Sequence, residues 1–164
     1  MDIFQSALIL SAFLCSLVAG FLFAYAIVVM PGIKNLSDRE FIRAFQVTDR
    51  IIQNNHPIFM LVWIGSAIAV IVTALTGIGR LQGVDLFLLA LAALAYVLGV
   101  QVSTIAIHLP LNNKLQTLDV DAMNETDIKT ARNNFESRWN TSNIIRTTIA
   151  SCVSVLLIIL LFRQ

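Results

Sequence analysis

Four long apolar stretches divide this chain of 164 residues, at about 3–30, 58–78, 84–107 and 143–162, and most of the charged residues fall between them. Crossing a hydrocarbon core of about 30 Å takes roughly 20 apolar residues wound as a helix, and each stretch is long enough. Lipid offers no partner to backbone N–H and C=O groups, so only helices or closed barrels can span it. A barrel would show segments of about ten residues with alternating polarity, and none of the four alternates. The pattern predicts an all-α fold: an integral membrane four-helix bundle, forming one domain over 1–164.

Local signals refine the boundaries. Pro31-Gly32 reads as the break that ends the first helix. Ser37 with Glu40 three residues on is a capping box, so a short amphipathic helix is expected in the first loop. Phe41, Ile42, Phe45 and Ile52 would give it one apolar face, lying on the membrane surface or against the bundle. Pro57 suits the first turn of the second span. The five residues 79–83 make spans two and three an antiparallel hairpin. The third span is expected to stop at Pro110, and 117–125 reads as a loop. Thr126 can cap a last helix with no Pro or Gly up to Phe162. That helix, at about 1.5 Å per residue, would outrun the membrane and extend beyond it. No internal repeat interrupts the plan.

Composition agrees with this picture. Only 13% of residues are charged, against about 25% in soluble domains. A net charge of +1 implies no nucleic-acid partner; the expected partners are the lipid bilayer and a hydrophobic small molecule. Lys34, Arg39, Arg43, Arg50, Lys114, Lys129, Arg132 and Arg138 fall in loops 31–57 and 108–142, while Arg80 and Arg163 lie on the other side. The positive-inside rule puts those two loops in the cytoplasm and both termini outside, and a bacterial inner (plasma) membrane is the expected location. The first span carries Asp2 and no Lys or Arg before Lys34, which reads as a mature helix rather than a signal peptide. Asn-x-Ser/Thr matches at Asn35, Asn124 and Asn140 then face the cytoplasm and are chance. Cys15 and Cys152 fall inside spans and are expected to be buried free thiols.

Polar side chains in lipid turn toward the bundle interior. On the second span, His56, Phe59, Trp63, Ser66, Thr73 and Gly77 share a face. Gln101, Thr104 and His108 share one on the third, which Asn112 would continue if the helix ran past Pro110. Arg132, Glu136, Trp139, Asn143, Arg146 and Ser154 form a stripe on the last. These stripes converge at the cytoplasmic end, where any functional site is expected. Ser16 and Gly20 are small residues that would let helices approach closely, and a homo-oligomer is compatible with the lipid-facing area.

Three sequence elements are shared with a known family. They are Tyr25-Ala26 to Met30-Pro31-Gly32, then Pro110-Leu111-Asn112-Asn113, then Phe135-Glu136-Ser137-Arg138-Trp139-Asn140 followed by Asn143 and Arg146. In order and spacing they resemble the anthrone-oxygenase-like family of small membrane proteins, over nearly the whole chain. The resemblance implies a four-helix membrane bundle and, from its fungal members, an oxidoreductase that turns polyketide anthrones into anthraquinones without flavin or haem. His56 and His108 lie outside the shared elements.

Three functions fit these residues. The first is a cofactor-independent oxygenase acting on a lipophilic aromatic. His108 would be the base, and Arg146, Asn143 and Asn112 would hold a developing oxyanion. Trp63, Phe59, Trp139, Gln101, Thr104 and Tyr25 would bind the substrate. The second is a haem or copper protein using His56 and His108, with no other metal ligand identifiable. The third is a non-catalytic binder or carrier of a hydrophobic small molecule, or an assembly subunit. No glycine-rich phosphate loop and no nucleophile motif is present.

Overall fold

The computed structural model describes residues 2–164, and among them every regular element is helical. There are five helices: α1 (Ile3–Ile33), α2 (Asp38–Gln53), α3 (Pro57–Ile78), α4 (Gly83–Gln116) and α5 (Glu125–Arg163). All but α2 are long and apolar enough to cross a membrane. In the bundle α1 packs against α3 and α5, and α4 packs against α5 and, less closely, α3. The start of α1 and the end of α5 lie at one end, and the connections 34–37, 54–56 and 117–124 lie at the other, called here the loop end.

Two helices contain a proline near their C-terminal ends, and one of them runs further than its sequence suggests. Helix α1 includes Pro31-Gly32 and ends one residue later at Ile33, close to where the sequence puts its end, but Pro110 does not end α4, which continues to Gln116. In each case a π-helical turn ends two residues before the proline, at Tyr25–Val29 and at Thr104–His108. A proline removes one N–H and crowds the carbonyl four residues back. Those carbonyls belong to Ile27 and Ala106, both inside the wider π turns, which absorb the clash. A longer π segment at Ala95–Val102 lies earlier in α4.

Helix α5 is one unbroken helix of 39 residues, about 58 Å long. Its cap is Asn124, which accepts from the Asp127 N–H, and not Thr126, which lies within the first turn. The Ser37–Glu40 capping box is present, with Ser37 Oγ accepting the Glu40 N–H and Glu40 accepting back from the Ser37 N–H.

Two apolar clusters fill the bundle. Toward the termini, Leu8, Val18, Val70, Leu89, Tyr96, Val153 and Leu157 interdigitate. The hydroxyls in this region pair with one another, Ser11 with Thr73 at 2.8 Å and Ser66 with Tyr96 at 2.6 Å. Toward the loop end, α2 buries Phe41, Ile42 and Phe45 completely against Leu115, Ile128, Phe135 and Trp139. At about 1.5–3 kcal/mol per large apolar side chain, this face is enough to hold α2 on the bundle rather than on the lipid surface. Arg132 pins the same junction. It bonds Asp38 at 2.9 Å, Glu136 at 2.7 Å and the Lys34 carbonyl at 2.7 Å, with its guanidinium 4.3 Å over the Phe41 ring.

Two small-scale expectations change. Cys15 is buried but Cys152 is exposed on the outer face of α5, because its position falls opposite the buried Val153–Ser154 edge; both are free thiols. Gly20 also faces outward with nothing near it. Close helix approach occurs instead at Gly77 and Gly99, where an added Cβ would run into Leu89 Cδ2 and would sit 2.7 Å from Ile149 Cδ1 respectively.

Candidate functional site

The loop-end half of the bundle encloses a cavity of about 410 Å³ to which α1 to α5 all contribute. That volume lies within the range of small-molecule sites, roughly 300–1,000 Å³. The walls are aromatic. Phe21 and Tyr25 come from α1, Phe45 from α2, Phe59 and Trp63 from α3, and Trp139 from α5. Phe59 and Trp63 stack at 5.6 Å with their planes 17° apart, one helical turn from each other. Tyr25 and Trp139 approach at 5.8 Å. Such surfaces favour a flat, apolar ligand.

Polar groups enter this wall at a few points. Arg146, 5% exposed, points its guanidinium into the site from the α5 stripe. Its Nε donates to Asn143 Oδ1 at 3.0 Å and its Nη1 to Thr104 Oγ1 at 3.0 Å. The guanidinium also lies 5.7 Å from the Trp139 ring. Among the described residues no carboxylate pairs with it within salt-bridge distance. A buried unpaired charge is costly, so the position suits an anion or a group that becomes one.

His108 is 1% exposed. Its Nε2 shares a hydrogen bond with Ser142 Oγ at 3.0 Å, and its ring meets Trp139 edge-on at 5.2 Å. Its Nδ1 is buried with no partner, and so is Nε2 of Gln101. Both residues line the cavity. Unsatisfied buried polar atoms are rare, and each costs about 1–3 kcal/mol.

At the loop end the wall is closed by Asp49, 2% exposed on α2. Its carboxylate accepts from Asn112 Nδ2 at 2.8 Å, Gln53 Nε2 at 3.1 Å and Gln116 Nε2 at 3.1 Å. Asn112 Oδ1 in turn accepts from Trp139 Nε1 at 2.9 Å. This network joins α2, α4 and α5. Sequence reasoning missed Asp49, Gln53 and Gln116. The available signal was a charged residue on the apolar side of α2, four residues from Phe45.

Of the residues singled out in the sequence, His108, Arg146, Asn112, Trp63, Phe59, Trp139, Gln101, Thr104 and Tyr25 all line this one cavity. Asn143 does not line it. It stands behind Arg146, holding the guanidinium and donating to the Leu22 carbonyl at 3.3 Å. His56 is exposed at the start of α3 and does not line the cavity either, so the structure does not bring it together with His108. Among the described residues, no group of three or more His, Cys, Asp or Glu side chains is placed to hold a metal ion.

A family model described as anthrone oxygenase matches residues 49–157. That segment contains the whole cavity lining except Phe21, Tyr25 and Phe45. No curated protein and no solved structure matches the chain.

Proposed function

This chain belongs to the anthrone oxygenase family, and from that membership we propose that it oxidises a lipophilic fused-ring aromatic carrying an acidic ring methylene, with dioxygen as the oxidant and no bound cofactor. The observation that supports this reading best is the pairing, in the lining of one aromatic-walled cavity, of a cation without a carboxylate partner, Arg146, and a buried histidine, His108.

In this reading the ring system lies among Phe59, Trp63, Tyr25 and Trp139. His108 removes one methylene proton, and the electron pair delocalises onto the ring carbonyl oxygen, which Arg146 stabilises as it becomes an oxyanion. Thr104 and Asn143 hold the guanidinium, and Asn112 holds Trp139. The enolate gives one electron to dioxygen. The resulting carbon radical and superoxide combine to form a C–O bond, and the peroxide takes up the proton. Loss of the second methylene proton with cleavage of the O–O bond expels water and leaves a quinone. One dioxygen is consumed for each quinone and water formed. Ile64, Ile105 and Leu109 both line the cavity and show on the outer surface, so a lipophilic substrate would enter from the bilayer. The distribution of Lys and Arg favours loops 31–57 and 108–142 in the cytoplasm, with both termini outside, in a bacterial inner membrane.

The test is purified protein in lipid nanodiscs with an anthrone under air, scored by quinone absorbance and oxygen uptake above the spontaneous rate. His108→Ala and Arg146→Ala are each expected to lose most of the protein-dependent rate. Unaltered turnover in the double variant overturns the proposed roles. Quenching of tryptophan fluorescence by the anthrone without turnover in the native protein would instead favour a carrier.

A further inference from the structure

The face of α4 turned away from the aromatic cavity carries a second feature that the proposed reaction does not use. Two concavities of about 410 and 630 Å³ adjoin there between α4 and α5, sharing Ile107, Asn134 and Arg138 in their walls. Two cations line this groove, Lys114 and Arg138, and no carboxylate does. Among the described residues neither cation makes an ion pair, as is also the case for Lys34, Arg50, Lys129 and Arg146, whereas Arg39, Arg43, Arg80, Arg132 and Arg163 each reach a carboxylate. The depth is also specific. Lys114 and Arg138 lie just beyond the apolar runs of their helices, at the level of lipid headgroups. From there the groove continues along Ile107 to Gly99 and Ile145, inside the apolar runs, where Ser103, Thr141 and Ser142 also line it; nearer Lys114 its floor includes Ala106, Pro110 and Leu111.

We propose that this groove binds one anionic glycerophospholipid. Its phosphodiester sits between Lys114 and Arg138, within reach of the Asn134 and Ser137 side chains, and an acyl chain follows Ile107 toward Gly99 and Ile145. Basic recesses between membrane helices select anionic headgroups because a phosphate at the interface keeps little of its bulk-water screening. The groove's extension to the depth of Gly99 and Ile145, inside the apolar runs of α4 and α5, favours a lipid over a free phosphate, which would leave that part unfilled. Gly99 shapes the inner end, since any side chain there would meet Ile149.

Delipidated full-length protein in neutral detergent provides the test, with thermal unfolding and native mass spectrometry as readouts. The added probes are phosphatidylglycerol, phosphatidylcholine of the same chain length, and inorganic phosphate. Phosphatidylglycerol should be retained on the order of tenfold more tightly than phosphatidylcholine, with a matching rise in Tm. Lys114→Gln with Arg138→Gln should abolish that preference, and Arg50→Gln, an exposed arginine on α2, should keep it. Should the double variant not fold, each single substitution is scored by the same comparison. Equal retention of the two lipids, stabilisation reproduced by inorganic phosphate alone, or an undiminished preference in the substituted proteins overturns the proposal.

Discussion

Trp139 on α5 donates its indole N–H to Asn112 Oδ1 on α4 at 2.9 Å, and Asn112 passes the connection on to Asp49 of α2 at 2.8 Å. A tryptophan in the aromatic wall is thereby fixed by a side chain that lies beyond a proline, and a buried carboxylate is tied to the same side chain. The geometry holds only because α4 continues through Pro110.

Asn112→Leu removes both bonds while keeping a similar volume. It leaves the Trp139 N–H and one acceptor site of Asp49 without partners. With about 1–3 kcal/mol for each unsatisfied buried group, stability should fall by roughly 2–4 kcal/mol, read by thermal unfolding in detergent. A Tm indistinguishable from that of the native protein would show that the network contributes nothing.

Arg146 is expected to act through charge and through geometry together. Arg146→Lys keeps the charge but loses the fork that binds Asn143 and Thr104. Turnover of an anthrone should drop by about 10²–10³ in Arg146→Ala, with Arg146→Lys in between. Equal rates in the two variants would mean that the charge alone is immaterial.

Glycine positions separate close packing from open lipid. Gly99→Ala brings a methyl group to 2.7 and 2.9 Å from two Ile149 carbons, and a branched side chain cannot retreat on both. It should destabilise the protein by about 1–3 kcal/mol. Gly20→Ala, with nothing within 4 Å, should be neutral or slightly stabilising, since alanine favours helix. The difference in Tm between the two variants is the measurement.

The capping box of α2 should respond to acid. Hydrogen bonds from the Ser37 side chain and then its backbone N–H hold the Glu40 carboxyl below its ordinary range. A depressed folded value means that this contribution is fully present above the unfolded value, about 4.3. It is lost as pH falls through the lower folded value. Hydrogen exchange in the first turn of α2 should therefore quicken below about pH 4, and Glu40→Gln should flatten that response. A first turn equally protected at pH 3 and pH 7 would contradict it.

The four spans, the α2 capping box and the gathering of polar residues at one end were legible in the chain because each rests on local physics: apolar length, cap chemistry and helical period. The continuation of α4 through Pro110 was not. A proline stops a helix locally, and whether a π turn absorbs it depends on packing that no short window contains. The same reason hid Asp49, whose partners Asn112 and Gln116 come from another helix some sixty residues away. It also hid Gly99, whose neighbour Ile149 is on α5. By itself the sequence determined that this protein has the length and apolar content to cross a membrane four times, and that Arg146, His108 and Trp139 lie near one end. The tertiary structure alone decided that they share a single cavity, that Asn143 stands behind its wall and that His56 stays outside it. Periodicity orients a side chain around its own helix, but only the packing of helices sets which orientations converge.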